Sequence, residues 1–188
     1  MNRFEWFLPT KPFRINQAWG ILNPIYQQFA KPGRIFNKHN GIDDGVVTGT
    51  PILAPFDWNY KNHGNQPNGG GIFVSIISKN KYSFDDGKEA FVLIDFLHCK
   101  EIVVFNNNKL SGYVGETLAI SNNTGFSTGS HTHLQFRRVD ENFVVLDYND
   151  ANDSFDPMPY CNNVYAGVWV LFREILAQFN RIFGKVAQ

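Results

Sequence analysis

Short runs dominated by Val, Ile, Phe and Thr, each cut off by Gly- and Asn-rich stretches, limit most strongly what this chain can fold into. They occupy residues 45–54, 71–78, 90–98, 101–105, 112–121, 131–139 and 142–146. Gly and Asn tolerate positive φ, so the stretches between them favour turns. The polar segments 59–70 and 79–88 read as loops. Little helical periodicity precedes residue 160, so the expected fold is mainly β, an antiparallel sheet core flanked by loops. Hydrophobic residues make up 43% of the 188 residues and aromatic residues 15%, enough to bury a core and exclude wholesale disorder.

Charge and cysteine content narrow the function classes. Lys+Arg 17 balance Asp+Glu 17, leaving no basic field for phosphate binding, so no nucleic-acid partner is expected. Two cysteines, Cys99 and Cys161, exclude a disulfide-dense scaffold and a four-Cys zinc module. The opening MNRFEWFLPTKPFR lacks a continuous apolar core and a small-residue cleavage site, so it does not read as a classical signal peptide.

The tail is different. Val164, Val168, Leu171, Phe172, Ile175, Phe179, Ile182 and Phe183 recur at helical steps, which predicts an amphipathic helix in a C-terminal extension, 161–188, after a domain spanning 1–160. Its apolar face docks on its own β domain or contacts a partner; the sequence leaves both open. Arg173 and Glu174 near its middle argue against a transmembrane span.

Four of the five histidines sit in suggestive contexts. In GSHTHLQF (129–136) strand alternation puts His131, His133 and Gln135 on one face and Thr132, Leu134 and Phe136 on the other. Two neighbouring imidazoles can share one metal site or divide into a ligand and a catalytic group. In HNGID (39–43), His39 and Asp43 can converge around Gly41, and both are good zinc ligand types. In FVLIDFLHCK (91–100), Val92, Ile94, Phe96 and His98 would share a strand face, with Cys99 turned the other way. Nothing around either Cys argues for a thiol nucleophile. His63 lies in a polar segment and reads as solvated.

Together these pieces are more specific than any one of them. HNGIDDGVVTGTPILAP, an apolar strand ending in His98, and VGETLAISNNTGFSTGSHTHLQF follow in order. The combination resembles the lysostaphin-type (LytM-like) zinc metallopeptidases of bacterial cell-wall metabolism, over roughly residues 10 to 160. DPMPY (156–160) resembles the segment that often closes the family's catalytic domain. The resemblance implies an antiparallel sheet with a metal-bearing groove, one Zn²⁺ per chain, His39, Asp43 and His133 as ligands, and His98 and His131 as the catalytic histidines. It also implies a peptidoglycan peptide substrate and action at the cell wall, as an exported or phage-delivered enzyme. Departures are Thr132 where an apolar residue is usual, Gln135 where an acid is common, and Asp57-Trp58-Asn59 in place of a Gly-containing turn. The alternative is a non-catalytic wall-binding or phage virion module that keeps the fold. Two imidazoles and a carboxylate leave a zinc ion one open position, the composition of a catalytic site rather than a closed structural one.

Overall fold

A computed structural model describes residues 14–30, 32, 35–146 and 153–160. The architecture is the expected one, mainly antiparallel β. Seven strands run side by side in the order β1 (Ile15–Gln17), β2 (Ile42–Asp44), β10 (Thr132–Val139), β7 (Glu89–Glu101), β5 (Gly71–Ser78), β4 (Trp58–Gln66) and β8 (Ser111–Gly112). Every neighbouring pair is antiparallel. Beside them β3 (Pro51–Leu53) pairs with β9 (Thr117–Ser121), which in turn pairs with β7, and β6 (Tyr82–Ser83) pairs with β7.

Alternation along the three central strands explains the core. Val74 and Ile76 of β5, Val92, Ile94 and Phe96 of β7, and Leu134 and Phe136 of β10 join Ile42, Ile52 and Trp58 in one buried cluster. Each such side chain contributes roughly 1.5–3 kcal/mol by leaving water. The opposite face of the same strands carries Ser75, Asp95, Gln135 and Arg137, with Ser75 beside Asp95 and Asp95 beside Gln135 across the ladder. That polar face also bears His133, while its far end, at Ile77, Leu93 and Val139, packs a second, smaller apolar cluster.

Several sequence expectations are revised. Segment 59–70 is not a loop: most of it is β4, paired with β5 from Trp58↔Ser78 to Gln66↔Gly71. Its polar composition is tolerated because backbone pairing, along its length with β5 and at its start with β8, holds it more than side-chain burial does. Segment 101–105 does not continue as a strand; Val103–Asn106 is one helical turn whose Val104 is buried in the core. Residues 142–146 form a turn tied back by a single bridge, Val139↔Val145, with Leu146 N donating to the Arg138 carbonyl at 2.9 Å. Within 45–54 only Pro51–Leu53 is a strand. The amphipathic helix expected over 161–188 lies outside the described residues. Among the described residues no helix is long and apolar enough to cross a membrane.

Candidate metal centre

Strand register assembles the first half of the site. β2 lies between β1 and β10, and its pairing sets Asp43 directly opposite His133. His39 precedes β2 and is fixed at both ends of its own peptide: its N donates to the Ile21 carbonyl at 2.9 Å, and its carbonyl accepts from Gly20 N at 2.8 Å. Gly41 explains the centre of HNGID. A Cβ there would stand 2.6 Å from His133 Nε2 and 2.5 Å from the Leu134 carbonyl oxygen, so a side chain would displace the His133 ring.

Three atoms then face one another. His133 Nδ1 is 2.9 Å from Asp43 Oδ1 and 3.1 Å from His39 Nε2, and His39 Nε2 is 3.2 Å from Asp43 Oδ1. Two donors bound to zinc at about 2.0–2.1 Å in a tetrahedral arrangement stand about 3.3–3.4 Å apart, so each edge of this triangle lies within about half an ångström of that spacing. Proton bookkeeping also fits a cation. His39 Nδ1 donates to the Ala18 carbonyl at 2.9 Å, so in the neutral ring Nε2 carries only a lone pair. It points at a carboxylate oxygen and at another imidazole nitrogen. His133 Nε2 is buried without a hydrogen-bond partner among the described residues. Acceptors converging in a buried place are costly unless a positive charge sits among them.

His98 and His131 form the second half. His131 stands at the mouth of β10 and its Nε2 is 3.5 Å from Asp43 Oδ1. The His98 ring centroid lies 4.6 Å from that of His131 and 6.2 Å from that of His133. Both rings are held by the same device: His98 Nδ1 donates to the Thr124 carbonyl at 2.7 Å, and His131 Nδ1 to the Gly129 carbonyl at 2.8 Å. Each therefore keeps its Nε2 free of a proton when neutral. The loop 122–130, the Gly-rich turn of the sequence motif, supplies both carbonyls.

His98 reaches the site by a route that alternation does not foresee. It was expected in the row of Val92, Ile94 and Phe96. Instead its φ is 63°, and β7 inserts one extra residue where Phe96 pairs Val74 but Cys99 pairs Ile72. The bulge shifts the phase, so Cys99 continues the core row, fully buried, and His98 turns to the other face. A non-glycine residue in this region costs about 1–3 kcal/mol and persists only where surroundings enforce it. Here the His98 N bond to the Gly70 carbonyl at 2.8 Å and the Thr124 bond do so.

The electrostatics follow from burial and neighbours. Burial pushes the Asp43 carboxyl up, but the His133 and His39 rings facing it outweigh burial and hold the group well below the usual carboxylate range. Burial pulls His98 down to about 4, against the opposing Thr124 bond, and lowers His133 against the opposing pull of Asp43. Both rings therefore stay neutral at ordinary pH, as a ligand or base requires. Burial pushes the Cys99 thiol up to about 12, which leaves no thiolate and agrees with the expectation that it is no nucleophile.

Two residues carried no sequence signal of their roles here. Tyr26 stacks on His39 with centroids 5.5 Å apart, and its hydroxyl donates to Gln17 Oε1 at 2.9 Å. Nothing in PIYQQF marks it, because its partner lies thirteen residues on and only the chain path unites them. His63, expected in a solvated loop, sits on β4; its ring packs on Phe105 at 3.8 Å between centroids and its Nδ1 bonds the Tyr60 hydroxyl. Thr132 occupies the core-facing slot between His131 and His133, and its hydroxyl has no partner among the described residues. It fills an apolar position at a polar cost.

No family model matches the sequence. Over 104 residues, 55% of the chain, it is 32% identical to an uncharacterized metalloprotease of Haemophilus influenzae, and it spans only 19% of that protein. Among solved structures it resembles the catalytic domain of the antimicrobial peptidase lysostaphin from Staphylococcus simulans at 23% identity, with a TM-score of 0.52 over 79% of this chain and 91% of that one. It also resembles a zinc-containing peptidase from Vibrio cholerae at 20% identity, with a TM-score of 0.56 over 84% of this chain and 40% of that one. The resemblance read from the ordered motifs is matched in three dimensions: this chain has the fold of the lysostaphin-type metallopeptidase catalytic domains.

Proposed function

We propose that the chain is a zinc-dependent endopeptidase that hydrolyses peptide bonds in peptidoglycan stems or cross-bridges, acting at the bacterial cell wall. The observation that carries this reading is the triangle of His39 Nε2, Asp43 Oδ1 and His133 Nδ1, with edges of 2.9–3.2 Å, flanked by two more imidazoles. His39, Asp43 and His133 would hold the ion; two imidazoles and one carboxylate suit zinc. When bound, the ion supplies Lewis acidity that lowers the pKa of water toward about 7 and polarises a carbonyl.

The chain's own residues do the rest. His98 and His131, anchored through Nδ1, present Nε2 to take a proton from the attacking water and return it to the leaving amine. Protonated, the same rings stabilise the negative charge that develops on the carbonyl oxygen. Asp43 keeps its charge throughout, because its neighbours hold it ionised. The relatives named above include a metalloprotease, an antimicrobial peptidase and a zinc-containing peptidase, which supports peptide hydrolysis. The wall substrate rests on the motif resemblance.

The test pairs zinc content with digestion of purified cell walls, for the wild type and His133→Ala. The wild type should bind one zinc and release peptide fragments whose new ends identify the bond; His133→Ala should lose both properties. Zinc binding without fragment release from any wall would favour the non-catalytic module, and no zinc binding would end the reading.

A further inference from the structure

We propose that Thr124 is a positioning residue: its hydroxyl pins the loop 122–130 to the bulge in β7, so that the Thr124 carbonyl fixes the tautomer and the aim of His98. The inference rests on the role proposed for His98 and gives the Gly-rich turn a part in it.

The bulge leaves a place for this side chain. β7 carries one extra residue between the rungs Val74↔Phe96 and Ile72↔Cys99, and the ladder is interrupted there. The Thr124 side chain enters at the second rung. Its Oγ1 accepts from Ile72 N at 3.0 Å and donates to the Cys99 carbonyl at 2.8 Å, so one hydroxyl spans both strands. A hydroxyl can do this because it is donor and acceptor at one atom. The main chain of the same residue serves His98, whose Nδ1 donates to the Thr124 carbonyl at 2.7 Å. Thr124 therefore grips two successive residues of β7, Cys99 through its side chain and His98 through its carbonyl.

A carbonyl only accepts, so this contact dictates a proton on Nδ1 and a lone pair on Nε2 in the neutral ring. The His98 main chain is referenced to the same place, since its N donates to the Gly70 carbonyl at 2.8 Å. The loop is seated there as well: Phe126 N donates to the Gly69 carbonyl at 2.7 Å, and a Cβ at Gly71 would collide with the Thr124 carbonyl and hydroxyl. Removing the hydroxyl frees the loop from the rung. The His98 ring then loses its fixed acceptor and exchanges between tautomers. In the Nε2–H form it presents a proton where the proposed reaction needs a base.

The experiment reads the His98 tautomer directly, by ¹⁵N–¹H correlation NMR of histidine-labelled, zinc-loaded protein at neutral pH, with the His98 signals assigned by their absence in His98→Asn. It compares wild type, Thr124→Ser, Thr124→Val and Thr124→Ala, each with zinc content, circular dichroism, kcat and KM measured. Wild type and Thr124→Ser should hold the Nδ1–H form. Thr124→Val and Thr124→Ala should show exchange between forms. Their kcat should fall about a hundredfold, the cost of roughly an ångström of misplacement, with KM and zinc content unchanged. An Nδ1–H signal that persists in Thr124→Val overturns the proposal, and so does a Thr124→Ser variant as disordered at His98 as Thr124→Val. Loss of zinc or of the sheet signal in both Thr124→Val and Thr124→Ala would assign the hydroxyl to the fold rather than to His98, and overturns it too. A zinc-loaded wild type that cleaves no peptide overturns the peptidase reading, while the tautomer series still decides whether Thr124 holds His98.

Discussion

At the scale of single residues, the site separates groups that would hold an ion from groups that would move a proton, and the separation is testable. His98→Ala and His131→Ala should keep zinc and lose turnover by roughly 10²–10⁴-fold, the range for a lost general base. His39→Ala should instead lose zinc, read by metal analysis after dialysis. Equal zinc loss in all three would erase the distinction. Gly41 is a sharper probe, because it carries no functional atom. Gly41→Ala drives a methyl group to within 2.6 Å of His133 Nε2 and should weaken zinc binding measurably in a chelator competition, with the sheet intact by circular dichroism. Unaltered affinity would show that the ring moves aside freely. The candidates His39, Asp43, His98, His131 and His133 were legible in the sequence through the short motifs HNGID and HTH, the apolar strand ending in His98, and the resemblance of their order to a family pattern; their division of roles is the proposal made above. The Tyr26–His39 stack was not legible, since no local spacing records which distant segment a side chain will meet.

At the scale of elements, β7 is the decisive strand. It pairs with β5, β10, β9 and β6, and its bulge at Leu97–His98 converts a core-facing row into a site-facing histidine. The polar face beside His133 is organised across strands as well. Asp95 accepts from Ser75 Oγ at 2.5 Å and from Arg137 Nη1 at 2.7 Å, tying β5, β7 and β10 together through one carboxylate. Asp95→Ala would strip a guanidinium that is 22% exposed of its carboxylate. Breaking a buried pair costs about 3–5 kcal/mol; discounted for this partial exposure, a loss of about 2–3 kcal/mol in urea unfolding is expected. A loss below about 1 kcal/mol would mean that solvent replaces the pair. The strand runs were readable because Val, Ile and Phe alternation reports burial. The polar β4 was not, because its pairing is a backbone property.

At the scale of the whole molecule, acid should unfold the metal-free protein through its buried histidines. His98 has an ordinary pKa of 6.5 when exposed and about 4 when folded. The unfolded chain therefore binds more protons between these values, so stability is full above about pH 6.5 and falls as pH drops toward 4. That lowering corresponds to about 3 kcal/mol of stability lost on the acid side. His133, also lowered, acts in the same sense, and Asp43 adds its own loss only below its unfolded value of 3.8. Thermal midpoints measured across pH 4–7 without metal should fall on the acid side, less steeply for His98→Asn. An identical slope in that variant would refute the assignment. For this protein the sequence by itself determined composition-level and local matters: a β-rich core, the turn-rich rim, and the order of the histidine motifs. Short-range spacing and alternation encode those. Only the tertiary structure decided that Asp43 lies beside His133, that a bulge swings His98 out of the core row, and that Tyr26 stacks on His39. Each of those depends on register and backbone path between segments far apart in the chain, which no local pattern specifies.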